Sequence, residues 1–210
     1  MWKTNKRTII LTLLLTLLPI AAGLFLWDQL PEQVATHFNG SQPDGWSSRA
    51  FAVFALPAIC AGCHLLCAVI PGLDPKHENI TPKVMSVVLW MMPLVSWFAS
   101  GMILSYAMGK PIPVQSAVGL LIGFIFIILG NYLPKTKQNY TVGIKVPWAL
   151  NNEENWNHTH RFAGFLYTAA GLFCIVAGLL KWQAVVIVVA VVAAIAPCVY
   201  SYLYYRRHGA

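Results

Sequence analysis

Residues Gln183–Tyr204 read QAVVIVVAVVAAIAPCVYSYLY and contain no Asp, Glu, Lys or Arg. A helix needs about 20 apolar residues to cross the roughly 30 Å hydrocarbon core of a bilayer. This stretch is long enough, and Arg206 and Arg207 follow it closely, as is typical of the boundary with the headgroups. It therefore predicts a transmembrane helix.

Five similar runs precede this one. The six predicted spans are Thr8–Trp27, Ala50–Ile70, Val84–Met108, Val114–Leu133, Phe162–Leu180 and Gln183–Tyr204. The chain of 210 residues is 58% hydrophobic and only 10% charged, whereas a soluble domain devotes about a quarter of its residues to charge. We predict an all-α integral membrane protein, built as a bundle of six transmembrane helices.

The basic residues indicate the orientation of this bundle, because Lys and Arg concentrate in cytoplasmic loops. With a cytoplasmic N-terminus, all but three of the 14 basic residues lie inside, the exceptions being Arg49, Lys110 and Lys181. Six spans then place both termini in the cytoplasm. The first run follows Lys3, Lys6 and Arg7 but is longer than a typical signal peptide core, so we expect an uncleaved anchor. The net charge of +7 is interpreted as attraction to anionic membrane lipid, with no direct nucleic-acid partner.

The long loops indicate two units within one membrane-embedded domain. Residues 1–71 form a two-helix unit with an extracytoplasmic loop at 28–49, and residues 84–210 form a four-helix unit with a cytoplasmic loop at 134–161. In the fourth span, Gly119 and Gly123 have the spacing of a close helix-packing face.

The outer loop reads DQLPEQVATHFNGSQPDGWSSR, residues 28–49, with turn signals at Asn39-Gly40 and Asp44-Gly45. Its side chains His37, Asn39, Asp44 and Trp46 could together bind a ligand or a peptide. The alternative is a compact connection whose polar groups cap its own turns, with Trp46 as an interfacial anchor. The loop has no recognisable metal-ligand spacing.

The inner loop reads PKTKQNYTVGIKVPWALNNEENWNHTHR, residues 134–161. Asn151 or Asn152 can cap a short amphipathic helix that carries Glu153, Glu154 and Trp156 and leads into the fifth span. Such a helix either lies on the inner leaflet or offers a docking surface to a cytoplasmic protein. The residue types favour neither interpretation.

One histidine lies within a predicted span, in Cys60-Ala-Gly-Cys63-His64, which matches the C-x-x-C-H pattern of haem attachment. Cys60, Cys63, His64 and Cys67 cluster on one helical face, which permits a buried metal or redox site. The alternative is that the cysteines are small apolar residues and His64 is hydrogen-bonded in the bundle. His158 and His160 are too close in sequence for a helical ligand pair. We predict no bound metal and no cofactor.

The sequence offers little support for other membrane functions. It has no phosphate loop, G-x-S-x-G or H-E-x-x-H motif, so we expect no enzymatic activity. A small-molecule transporter or exporter is the principal alternative. Apart from His64, however, no ionisable relay lies deep in a span, where an ion-coupled transporter normally needs one.

Both loops resemble segments of a known family. Leu30–Gly40, followed by Pro43-Asp44-Gly45-Trp46, resembles the N-terminal domain of unknown function found in SdpI-like membrane proteins. The signature of the SdpI immunity protein family is similar to Gly130–Lys135, Asn139, Gly143–Trp148, Glu154, Trp156 and Thr159–Arg161. Lys145 and Ala149 stand where this family usually has arginine and threonine, and lysine lacks the planar guanidinium fork.

The resemblance implies a multi-pass protein of the bacterial cytoplasmic membrane that gives resistance to a secreted, membrane-active toxin peptide of the sporulation-delaying type. It also implies signal transduction, in which a cytoplasmic autorepressor is recruited to the membrane. The toxin-binding candidates are His37, Asn39, Asp44 and Trp46. The candidates for repressor docking or signalling are Asn139, Gly143, Lys145, Pro147, Trp148, Glu154, Trp156, His160 and Arg161.

Overall fold

The computed structural model describes residues 2–208, with side chains from Asn5 onward. The side chain of Lys3 and the terminal residues of the two predicted units lie outside the described part. The helices are α1 (Trp2–Phe25), α2 (Arg49–Val69), α3 (Pro82–Ala107), α4 (Val114–Tyr132), α5 (Pro147–Asn151), α6 (Glu153–Leu179) and α7 (Gln183–His208). All but α5 are long and apolar enough to span a membrane. The six predicted spans are therefore confirmed.

The fifth spanning helix begins nine residues earlier than predicted, at Glu153 instead of Phe162. Asn152 caps it, accepting a hydrogen bond from the Asn155 amide at 2.8 Å. The predicted cap is thus confirmed, but the amphipathic segment and the span form one continuous helix. Hydropathy could not show this continuity, because the first turns are polar on all sides and only the tertiary structure buries Asn155, Thr159 and His160.

The fold is not entirely helical, so the all-α prediction is wrong at one place. Gln33–Asn39 (β1) and Gln42–Ser48 (β2) form an antiparallel hairpin. Gly40 has a φ of +64° at the first of two turn residues, where a type II′ turn requires it. Asp44-Gly45, predicted as a turn, lies inside β2. Two register shifts lie around His37, and β1 has adjacent buried residues at Val34 and Ala35, which interrupt its alternation. The exposure of β2 alternates, but its only large apolar side chain is Trp46, so the sequence pattern does not reveal it.

The helices pack as two three-helix units. In the first unit α1, α2 and α3 contact one another, and in the second α6 packs against both α4 and α7. The third span, which the loop pattern assigned to the second unit, packs with the first two. Its neighbour in sequence, α4, contacts it along only a short length.

Glycines bring α4 and α6 into backbone contact. A Cβ added at Gly119 would lie 2.5 Å from the Cα of Gly178, and one at Gly123 would lie 2.7 Å from the carbonyl oxygen of Gly171. Gly130 faces Gly164 in the same way. The predicted packing face of α4 is therefore confirmed, and its partner is a row of glycines on α6 spaced seven residues apart.

A proline determines one contact between α1 and α3. Pro19 lies inside α1 and has no N–H, so the carbonyl of Leu15 one turn earlier lacks its helical donor. The indole nitrogen of Trp97 donates to that carbonyl at 2.9 Å. Beside it, the Ser96 hydroxyl donates to the Thr16 carbonyl at 2.7 Å. The first bond satisfies a carbonyl that the hydrocarbon core would otherwise leave unpaired, and the second adds a further contact between α1 and α3.

The bundle has two ends that we name by their residues. The hairpin end holds residues 26–48, 108–113 and 180–182. The Asp74 end holds residues 70–83 and 133–161, the first two described turns of α1 and the last turn of α7.

Candidate functional site

The four toxin-binding candidates lie on the hairpin, and their side chains are on its exposed face. His37 Nδ1 and Asp44 Oδ1 are 2.5 Å apart across the two strands. Trp46 is 56% exposed and Asn39 lies at the end of β1. The structure therefore brings together a hydrogen-bonded His–Asp pair, an amide and a large aromatic ring on one surface that is open to a ligand.

The opposite face of the hairpin fixes it to the first unit. Val34 is buried and packs against Ala52 of α2 and Ile103 of α3. Phe38 meets the ring of Tyr106 edge to face, with centroids 5.1 Å apart. A surface held in this way can present side chains in a constant arrangement.

Arg49 anchors the base of the hairpin. Its guanidinium donates to the carbonyls of Trp27 at 2.7 Å and Leu30 at 3.3 Å, and it lies over the Trp27 ring, 4.8 Å from the centroid. The main-chain N–H of Arg49 donates to the Glu32 carbonyl. Arg49, one of the three basic residues predicted to lie outside, therefore also holds the hairpin in place.

The tip of the hairpin reaches the second unit. The Gln115 side-chain amide of α4 donates to the Ser41 hydroxyl. Beside this contact is a cleft of about 390 Å³, bounded by Gln42, Tyr106, Ile112 and Lys181 among others. A ligand on the hairpin face thus lies close to a junction between the two units.

At the other end of the bundle, Asp74 is the centre of a second junction. It is 5% exposed and accepts hydrogen bonds from the Lys76 amide at 2.7 Å, the Tyr140 amide at 2.8 Å and the Thr141 hydroxyl at 2.6 Å. Burial raises the pKa of this carboxyl, but these hydrogen bonds and the nearby His77 outweigh burial and lower the pKa below its ordinary value. Asp74 is thus held as a carboxylate that joins residues 70–81 to residues 134–146.

Gln138 extends the same junction. The Lys76 ammonium donates to its side-chain oxygen, and the Asn79 amide donates to its main-chain carbonyl at 2.7 Å. The Gln138 amide donates in turn to the carbonyls of Ala149 and Leu150, both at 3.0 Å. The two loops and α5 therefore form one hydrogen-bonded structure.

Four of the docking candidates are inside this structure. Asn139 is fully buried; its amide donates to the carbonyls of Lys137 and Val142, and its oxygen accepts from the amides of Thr141 and Val142. Gly143 has a φ of +126°, and a Cβ there would lie 2.5 Å from His160 Nε2. Both residues shape the loop from within.

Trp156 and His160 are the other two, and their rings stack with centroids 4.0 Å apart. The Trp156 indole donates to the Thr136 carbonyl at 2.7 Å. His160 Nδ1 lies 2.8 Å from the Trp156 carbonyl and Nε2 accepts from the Ile144 amide at 3.0 Å, which requires a neutral ring protonated at Nδ1. A partner protein could not touch these side chains without displacing the loop.

The remaining docking candidates are accessible. Lys145, Pro147, Glu154 and Arg161 are exposed. Trp148 is half-buried and packs against Tyr202 and Tyr205 of α7, with ring centroids 5.3 and 6.4 Å apart. Glu154 also contacts α7, since it accepts a hydrogen bond from the Tyr204 hydroxyl at 2.7 Å.

The possible metal or redox cluster on α2 does not form. His64 and Cys60 point into the bundle, whereas Cys63 is exposed and Cys67 is half-buried. His64 Nε2 lies 3.3 Å from the Thr12 hydroxyl and 3.2 Å from the Ile9 carbonyl. Within residues 2–208, no group of three His, Cys, Asp or Glu side chains could hold a metal ion. The hydrogen-bonded interpretation of His64 is correct.

Three buried polar residues were missed. Asp74 and Gln138 sit in polar stretches with no motif, and their role depends on contacts about 65 residues apart in the sequence. Asn155 accepts from the hydroxyls of Thr159 and Ser201 and donates to the Ser201 carbonyl at 3.0 Å, which ties α6 to α7. The only available signal was that Asp74 is an acid between Pro71 and Pro75, directly after an apolar span.

Comparisons with known proteins agree with the resemblance. Residues 135–201 match the SdpI/YfhL protein family, and residues 14–61 match a domain of unknown function (DUF1648). The chain is 22% identical over 205 residues to the immunity protein SdpI of Bacillus subtilis (strain 168), an alignment that covers 94% of this chain and 96% of that protein. No solved structure matches the chain. The resemblance to SdpI is thus confirmed over nearly the whole length.

Proposed function

We propose that this SdpI-like membrane protein gives the cell that makes it resistance to a secreted, membrane-active toxin peptide, which it contacts at the hairpin end. The observation that carries the proposal is the similarity to an immunity protein along nearly the full chain. It is supported by the exposed face of His37, Asn39, Asp44 and Trp46, which offers aromatic and charged groups on a rigid base.

The proposal includes an orientation. The hairpin end faces outward, where a secreted peptide arrives, and the Asp74 end faces the cytoplasm. Of the 14 basic residues, all but Arg49, Lys110 and Lys181 belong to the Asp74 end by sequence. This asymmetry favours a cytoplasmic location for that end.

A second part of the proposal is signalling to a cytoplasmic repressor. Lys145, Pro147, Glu154 and Arg161 would contact the repressor, whereas Asn139, Gly143, Trp156 and His160 would hold the loop that presents them. The exposure of the first group supports this division, as do the burial of Asn139, Trp156 and His160 and the close approach of Gly143 to the His160 ring. Peptide binding would shift the packing of the two units if it favours one arrangement over another.

Survival of a toxin-sensitive bacterial strain tests the immunity function. Cells expressing the protein are challenged with a sporulation-delaying toxin peptide, beside cells expressing His37→Ala/Trp46→Ala. The matched control is Lys137→Ala/Arg207→Ala, which changes two exposed residues at the opposite end. We expect the wild type and the control to protect and the hairpin variant to lose most protection at equal membrane expression.

Two outcomes would contradict the proposal in different ways. No protection by the wild type would remove this class of toxin as the ligand. Equal protection by the hairpin variant and the wild type would leave immunity in place but would exclude the hairpin face as the contact surface.

A further inference from the structure

One face of α3 changes from charged to apolar along its length. Lys83, Ser86, Val87, Trp90 and Met91 are spaced by three or four residues, which places them on one stripe of the helix. Together with Ile128 and Tyr132 of α4 they line a groove of about 400 Å³ between the two units. Lys83, the second residue of α3, is at the Asp74 end of this groove, and the apolar residues follow one and two turns deeper.

A second groove adjoins the first at Tyr132. It has a volume of about 580 Å³ and runs between α4 and α6, with Lys135 at its mouth and Ile127 and Ile128 deeper in. The Lys135 ammonium is 5.0 Å from the centroid of the Tyr132 ring and donates to the Asn131 side chain at 3.0 Å. Two lysines therefore flank the point where the grooves meet.

The depth of these residues matches the layers of a lipid. Lys83 and Lys135 stand at the limits of their spans, Pro82–Ala107 and Val114–Lys135, which is where lysine side chains reach the headgroups. The apolar walls lie at the level of the acyl chains. Because α3 and α4 contact each other along only a short length, the side chains of the two units leave the groove between them open.

We propose that an anionic phospholipid occupies the α3–α4 groove, with its phosphate between Lys83 and Lys135 and an acyl chain along Val87, Trp90 and Met91. Within the hydrocarbon region, water in an apolar groove is unfavourable, so an acyl chain fills the space. The positive charge at the mouth selects a negative headgroup. Free phosphate could use the lysines but has no chain for the groove.

Binding is measured by native mass spectrometry of the full chain in detergent, titrated with phosphatidylglycerol and, in parallel, with phosphatidylcholine. Lys83→Gln/Lys135→Gln is compared with Lys110→Gln/Lys181→Gln, which removes two lysines from the hairpin end. We expect phosphatidylglycerol to bind the first variant at least about tenfold more weakly, because each lysine near an anionic headgroup contributes to affinity. The control should bind it as the wild type does, and phosphatidylcholine should bind all three weakly.

Val87→Phe tests the acyl chain separately, since it narrows the groove and keeps both lysines. We expect weaker phosphatidylglycerol binding to Val87→Phe and no effect of millimolar inorganic phosphate on the wild type.

Equal loss of phosphatidylglycerol binding in both double lysine variants, or no loss in either, would overturn the proposal. Unchanged phosphatidylglycerol binding to Val87→Phe would overturn it too. Competition by inorganic phosphate would assign the lysines to a free anion. A wild-type dimer that Lys83→Gln/Lys135→Gln converts to a monomer would assign the groove to a second copy of the chain. None of these readouts depends on toxin resistance.

Discussion

Individual polar residues hold this protein together at positions where apolar packing alone would not specify a contact. Asp74 joins two loops that are about 65 residues apart in the sequence, and Trp97 satisfies a carbonyl that Pro19 leaves without a helical donor. In both cases a buried or membrane-embedded polar group would be costly without its partner. These contacts can be tested one residue at a time.

Asp74→Asn should destabilise the folded protein by about 1–3 kcal/mol at pH 7, because an amide cannot accept all three hydrogen bonds. The folded-state pKa is lowered, so the carboxylate's contribution is complete above the unfolded value of about 3.8 and is lost as the pH falls through the lower folded value. Thermal unfolding of purified protein should therefore show a Tm difference from wild type that narrows below about pH 4.

The matched control for Asp74 is Glu78→Gln, which changes an exposed acid of the same loop. It should leave the Tm within error of wild type. A Tm for Asp74→Asn equal to that of the control at pH 7 would show that the network contributes nothing to stability.

Trp97→Phe keeps an aromatic ring but removes the indole N–H that bonds the Leu15 carbonyl. We expect a loss of about 0.5–1.5 kcal/mol, in the range of single hydrogen bonds within membrane proteins. Unfolding in mixed detergent measures it, with Trp90→Phe as the control because Trp90 is on the same helix and similarly exposed. Equal effects of the two changes would show that ring size, and not the hydrogen bond, matters at Trp97.

At the scale of elements, the sequence pattern predicts the spanning helices but does not predict the hairpin. Hydrophobic length alone predicts the six spans, because crossing a bilayer requires it. The hairpin has only two fully buried strand residues, Val34 and Ala35, and two register shifts. Within the hairpin, the sequence correctly predicted only the turn at Asn39-Gly40.

Gly171→Ala should weaken the contact between α4 and α6. The added Cβ would lie 2.6 Å from the Gly123 carbonyl oxygen and 2.8 Å from a side-chain carbon of Ile127, so the helices must separate. Overpacking of this kind costs about 1–3 kcal/mol, measurable as a lower Tm. Gly101→Ala is the control, since nothing lies within 4 Å of its added Cβ; a similar fall in Tm there would refute the packing explanation.

At the scale of the whole molecule, two three-helix units meet at both ends of the bundle. Ser41 and Gln115 join them at the hairpin end, and the Asp74 network joins them at the other. There, Tyr132 and Val142 also pack against the buried cluster of the first unit that includes Ile9, Val84 and Leu89. A movement of one unit relative to the other would therefore change the contacts at both ends of the bundle. The proposed function, with a toxin bound at one end and a repressor at the other, requires such coupling.

The proposed orientation can be tested with single cysteines. In a variant lacking the five native cysteines, Ser41→Cys should react with a membrane-impermeant maleimide in intact cells. Lys137→Cys, also exposed but at the Asp74 end, should react only after the membrane is permeabilised. The reverse pattern would invert the topology and place the hairpin in the cytoplasm.

Trp148→Ala and Arg161→Ala should impair repressor recruitment more than toxin protection, because both residues are at the Asp74 end. Membrane localisation of a fluorescent repressor and survival under toxin are measured at matched protein levels, with Asn157→Ala as an exposed control on the same helix as Arg161. Equal loss of recruitment and protection would mean that the two surfaces do not act separately.

The sequence alone predicted the spans, a helix cap at Asn151 or Asn152, the packing face at Gly119 and Gly123, and the two segments that resemble SdpI-like proteins. These follow from local rules: hydrophobic length, capping chemistry and the short reach of a motif. Of the nine docking candidates, the motif could not separate buried Asn139, Trp156 and His160 from exposed Lys145 or Arg161. A motif records which residues occur, and burial depends on what the rest of the chain places beside them.

Only the tertiary structure decided the association of α3 with the first unit and the role of Asp74 and Gln138. It also decided that His64 is buried in the bundle whereas Cys63 beside it is exposed. Each depends on contacts between residues far apart in the chain. In a membrane nearly every face of a span is apolar, so hydrophobic patterning does not distinguish a face that meets lipid from one that meets another helix. Backbone approach at glycines and the pairing of a few polar groups make that choice, and both become visible only when the helices are assembled.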